Sequence, residues 1–190
     1  MGGDRARAFL GLTYHNPRHV LVELRKIERL LAGSNLPPAV RRLRTNEQKA
    51  IRELREACLF CYGWSQIDGQ QLHVAHADAH DYDAVATWVV NDTPHFAPIQ
   101  IKEVVPHDLN PTASLQKVVD GLQKYVDSAD LTVVIHLNQV TPFSPLELVI
   151  PPLKIAALWV FAAINADASK WMIWGNLLEG LRWGEFDYPS

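Results

Sequence analysis

A chain of 190 residues, 48% hydrophobic and 21% charged, is long enough for one domain with a real core, which excludes a fibre or a disordered tail. Two cysteines are too few for a disulfide framework and point to a reducing cytoplasm, and the opening MGGDRARAFL lacks the apolar segment of a secretory signal. The net charge of −3 conceals an asymmetry: residues 1–56 carry twelve Lys/Arg against six Asp/Glu, the remainder six against fifteen. The first part can therefore face a polyanion, although solvated helix faces explain the same charges equally well. The most apolar stretch, LELVIPPLKIAALWVFAAIN, is interrupted by Glu147, Pro151, Pro152 and Lys154 and does not suit a membrane span.

In chain order, NPRHVLVELRKIERLLAG predicts a helix with Pro17 at its start and Gly33 past its end. Its apolar stripe is Val20, Leu21, Leu24, Ile27 and Leu30 or Leu31. A loop with Pro37 and Pro38 leads to the basic run Arg41, Arg42, Arg44, and a second helix opens at Thr45/Asn46 and runs to about Tyr62. QLHVAHA reads as a short strand. HDYDAVATWVV and HFAPIQIKEVV read as a hairpin over the turn Asn91-Asp92-Thr93-Pro94. A helix from Ser114 to about Asp127 follows, then the buried strand LTVVIHLN, then two strands in LWVFAAIN and KWMIWGN. This order predicts a mixed α/β domain.

The second hairpin strand carries the chemistry. Residues two apart on a strand share a face, so Gln100 and Lys102 point one way while Ile99 and Ile101 point to the core. Asp83, at the start of the neighbouring strand, is brought beside them by the hairpin. A carboxylate and an amide oxygen are hard ligands suited to Mg²⁺, and a lysine can orient or deprotonate an attacking water and offset charge on phosphorus. That combination is the equipment of metal-assisted phosphodiester hydrolysis.

Asp83, then Gln100-Ile101-Lys102 on the next strand, a helix, and LTVVIHLN together resemble the restriction-endonuclease-like superfamily with its PD-(D/E)xK motif. The resemblance spans about Asn46 to Asn138. It implies a restriction-endonuclease-like α/β core, a mixed sheet flanked by helices, over residues 46–190, with residues 1–45 as an N-terminal helical extension. It further implies a Mg²⁺- or Mn²⁺-dependent nuclease, with DNA preferred over RNA as substrate and a homodimer favoured if both strands are cut. Asp83 takes the metal-binding position, Gln100 the (D/E) position and Lys102 that of the lysine, and the main-chain carbonyl of Ile101 completes the metal shell. The superfamily often adds a glutamate from the first core helix. A helical wheel with Ala50, Ile51, Leu54, Ala57 and Cys58 as the buried stripe selects Glu47, with Glu53 as substitute and Glu56 pointing away. Arg41, Arg42 and Arg44 are the candidate phosphate contacts, joined by Lys117 and Lys124 on the helix after the motif, and His80 and Asp81 can touch substrate or a second ion.

Two departures from the pattern stand in the sequence: Tyr82 replaces the motif proline, and Gln100 replaces an acid. The second removes a negative charge from the metal site, so the alternative is a catalytically inactive module that keeps the fold and binds nucleic acid or a protein. Other groupings compete. Cys58, Cys61, His73 and His76 nearly spell a zinc site, but the cysteines fall on a helix stripe and read as small hydrophobes. The crowding of His73, His76, His80, Asp81 and Asp83 suggests a histidine-rich metallohydrolase. His136 on its buried strand reads as a hydrogen-bonded core residue.

Overall fold

The structure, a computed structural model, describes residues 3–77, 81–139 and 144–190, with side chains from residue 7 onward. Helices α1 (Gly3–Leu10), α2 (Pro17–Ala32), α3 (Pro38–Arg41) and α4 (Lys49–Asp68) come first. Strands β1 (His73–His76), β2 (Ala84–Val90) and β3 (Thr93–Val104) follow, then α5 (Leu115–Asp120) and β4 (Ser128–Leu137). Strands β5 (Ile155–Ala163), β6 (Lys170–Gly175) and β7 (Arg182–Asp187) end the chain. The seven strands of the described residues join one sheet in sequence order. The meander β1-β2-β3 is antiparallel, β3-β4-β5 is parallel, and β5-β6-β7 is antiparallel again. The protein is thus a mixed α/β fold. Among the described residues no helix is long and apolar enough to cross a membrane.

Local chemistry sets the ends of the elements. Asn16 accepts the Arg18 N–H at 2.9 Å and Pro17 opens α2, as the sequence predicts. Only the first half of the predicted stripe is buried, however: Leu21 and Leu24 are inside, while Ile27 and Leu30 are exposed. The β2–β3 turn is tighter than predicted. Asn91 and Asp92 both have positive φ, at 47° and 60°, and make a two-residue connection whose twist matches the strands, so Thr93 and Pro94 already belong to β3. The helix predicted over 114–127 is shorter, ending in a 3₁₀ turn over Gly121–Lys124.

Alternation along the central strands divides the core between the two sheet faces. Ile99, Ile101, Val134 and Phe161 pack beneath α4, while Val104, Val133, Ile135 and Leu158 pack beneath α5. Strand β7, not foreseen in LRWGEFDY, closes the sheet by inserting Phe186 against Gly63 of α4. Trp171, 1% exposed, is a core residue.

Candidate functional site

Strand β2 begins at Ala84, paired with Ile99, so β3 continues past Ile99 without β2 beside it. Asp83 sits at that fork. Its N–H donates to the Ile99 carbonyl at 2.8 Å and its own carbonyl accepts the Ala77 N–H at 3.0 Å. These bonds aim the carboxylate across β3, where Oδ2 accepts the Ile101 N–H at 2.7 Å and the side-chain amide of Gln100. The same Gln100 nitrogen lies 3.4 Å from the Ile101 carbonyl oxygen. Carboxylate, side-chain amide and main-chain carbonyl therefore converge on one point.

Lys102 is next on the Gln100 face, half-buried, with Nζ 6.0 Å from the centre of the Tyr125 ring. Lys124 flanks the same ring at 5.3 Å. Burial raises the Asp83 carboxyl above its ordinary value, the Glu53 charge adds to the rise, and the Ile101 N–H, Lys102 and Lys49 oppose it. Burial lowers the Lys102 ammonium, with Lys49 adding to the fall against the opposing pull of Asp83 and Glu53. Burial also raises the Tyr125 phenol; Lys124 opposes the rise, and Asp83 and Asp81 add to it. These mutual influences place Glu53, Lys49, Tyr125 and Asp81 around the Asp83–Lys102 pair.

The choice among the α4 glutamates is corrected by the structure. Regular α-helix starts only at Lys49, after a 3₁₀ turn over Asn46–Gln48, and its first turn carries no buried residue. Ala50 and Ile51 are consequently exposed, and so is Glu47, whose carboxyl is held low by its own backbone N–H and by Thr45. Glu53 is the glutamate beside Asp83, bridged to Lys49 at 3.3 Å and lying 3.7 Å from His76 Nε2. Glu56, predicted to point away, is 3% exposed. It meets His136 Nδ1 at 3.1 Å on the other side of the sheet from Lys102.

The basic residues divide. Arg41 is exposed, and Arg42 pairs with Asp108 at 3.0 Å. Arg44 is taken up by Glu103 in a two-pronged pair at 2.6 and 2.5 Å, an arrangement that suits a structural rather than a phosphate-binding role. Lys117 donates to the Thr112 carbonyl at 2.9 Å. His80 lies outside the described residues. The thiols of Cys58 and Cys61 are buried in α4, and burial drives the first up to about 12, so neither offers zinc a ready thiolate.

A second cluster lies across the sheet. Glu56, Glu103 and His136 hold ligand-type atoms within 4.8 Å of one another. All three are engaged, since His136 takes Glu56 while Arg44 and Asn138 take Glu103. The Arg44 guanidinium already supplies the positive charge a cation would bring. Tyr125 and Lys49 were not singled out in the sequence. Tyr125 lies where the helical pattern ends early, and Lys49 reads as an ordinary exposed lysine, so no periodic signal marks either. No family model, curated protein or solved structure matches the chain.

Proposed function

We propose that the protein is a divalent-metal-dependent phosphodiesterase of the nuclease type, working at the fork between β2 and β3. The observation that carries this reading is the convergence of Asp83, the Gln100 amide and the Ile101 carbonyl beside a half-buried Lys102. The order α4, antiparallel β1-β2-β3, α5 and parallel β4 is the one the PD-(D/E)xK resemblance implies, and it supports the restriction-endonuclease-like assignment.

The donor set suits Mg²⁺ or Mn²⁺: a carboxylate from Asp83, the Ile101 carbonyl, the Gln100 amide turned to present its oxygen, and the nearby Glu53 carboxylate, all hard oxygen ligands. Bound there, the ion supplies Lewis acidity toward a phosphodiester oxygen. The chain's own residues do the rest. Ile101 N–H and the backbone bonds of Asp83 hold the carboxylate in place. Lys102, with its ammonium lowered by burial, takes a proton from water or donates to a phosphoryl oxygen. Tyr125 and Lys124 wall the same side of the site. The substrate class is nucleic acid, with DNA preferred, and Lys124, on the Tyr125 ring that Lys102 faces, is the basic side chain placed to meet its phosphates.

The test is cleavage of plasmid and single-stranded DNA in Mg²⁺ or Mn²⁺, with Lys102→Ala and Glu53→Gln beside the parent. Cleavage should fall by at least about a hundredfold in Lys102→Ala, the scale of a lost general acid–base group. Cleavage that survives Lys102→Ala refutes the site. Salt-sensitive binding without cleavage by the parent moves the protein to the inactive-module reading.

A further inference from the structure

A cavity of about 880 Å³ opens beside α4, distinct from the Asp83 fork. It lies at the carboxyl ends of the three parallel strands, where open α/β sheets hold their ligands. The segment after each strand contributes a polar side chain: His107 after β3, Asn138 after β4 and Asn165 after β5. Five arginines face it, namely Arg41, Arg42, Arg44, Arg52 and Arg55. Three of them are matched to carboxylates: Arg42 to Asp108, Arg44 to Glu103 and Arg55 to Glu28. Glu56, on the same wall, lies 3.1 Å from His136 Nδ1. Among the described residues, Arg52 donates only to the Leu43 carbonyl, at 2.8 Å, and Arg41 makes no ion pair. Two guanidiniums therefore have no carboxylate partner among the described residues, in a concave site where each keeps N–H donors to spare. Leu43, Leu137 and Pro106 give the cavity an apolar side.

We propose that this cavity binds a phosphate monoester, either that of a free nucleotide or that on the terminal nucleotide of a nucleic-acid strand. Guanidinium forks match phosphate oxygens, a dianion answers two unmatched arginines, and the volume falls in the range that holds a small ligand. The apolar wall accommodates the sugar and base. The binding does not depend on the hydrolytic reading. Where that reading also holds, Ile101 and the end of β3 at Val104 are roughly 10 Å apart along the strand, so a seated terminus sets the distance to the cut.

The test is calorimetry on the full chain in EDTA, which separates binding from cleavage. The probes are adenosine monophosphate and an oligonucleotide carrying or lacking a terminal phosphate, at the 5′ end and then the 3′ end. Binding of the mononucleotide in preference to adenosine assigns the site to free nucleotides. Preference for the phosphorylated strand alone assigns it to strand ends, and either result supports the proposal. Arg41→Glu, an exposed position that leaves the core intact, should weaken that binding about tenfold or more, one lost charge-assisted contact turned into a repulsion. Lys154→Glu, the same charge reversal at an exposed position outside the cavity lining, should leave it unchanged. The proposal is overturned if no probe binds in preference to its dephosphorylated form, or if Arg41→Glu binds as the parent does.

Discussion

Lys102 stands between two pulls. Burial and Lys49 push its ammonium toward the neutral amine, while Asp83 and Glu53 hold the proton on, and burial prevails. For a lysine depressed below its unfolded value, the stabilising contribution is present above the unfolded value and lost as pH falls through the folded one. The charged form therefore costs stability at neutral pH, a strain typical of groups placed for chemistry. If Lys102 acts by giving up its proton, kcat/KM should climb with pH and level off below the ordinary lysine value of 10.5. Lys102→Arg keeps the charge but cannot deprotonate, and should lose both the climb and the activity. A fully active arginine variant, measured across the same pH range, would show that the residue serves only as a fixed charge.

At the scale of elements, strands were readable where side-chain alternation and β-branched runs agree, as in LTVVIHLN, and the Gln100/Lys102 shared face followed from the strand period alone. The phase of α4 was not readable. A helical wheel assumes that the sheet covers the whole helix, and here the first turn stays exposed, so Ala50 and Ile51 mislead and Glu47 is chosen over Glu53. Tyr125 escaped for a related reason, since an early 3₁₀ ending swings it out of the helical register. Strand β7 was missed because RWGEFD has a glycine at its centre, and that glycine makes room for Ile67 of α4. Gly63 performs the same service on the helix side, for a Cβ there would overlap the Phe186 ring, with Cδ1 at 2.9 Å. Gly63→Ala should destabilise by about 1–3 kcal/mol through overpacking, despite alanine's better helix propensity. Urea melts of Gly63→Ala alone and with Phe186→Leu provide the check: the smaller side chain should recover part of the loss, and a strictly additive pair would deny the contact.

The whole molecule ties these scales together through the fork at Asp83, where β2 begins beside the longer β3 and a carboxylate is half-buried against its neighbours. Burial raises the Asp83 carboxyl, so folding favours its protonated form. The associated stability is present at low pH and is lost as pH rises through the folded value. At neutral pH the ionised group is a cost that a bound divalent cation would relieve. Asp83→Asn keeps an oxygen for the Ile101 N–H, so without metal at pH 7 it should be at least as stable as the parent. Manganese should reverse the order. At a concentration about 100 times its dissociation constant, a cation held only by the folded state adds roughly 2.7 kcal/mol. In a chain of this size that is a rise of about 5–10 °C in Tm. The asparagine variant should show little of that rise. Equal shifts in the two proteins would place the cation elsewhere, with the Glu56, Glu103 and His136 cluster as the next site to test through Glu56→Gln.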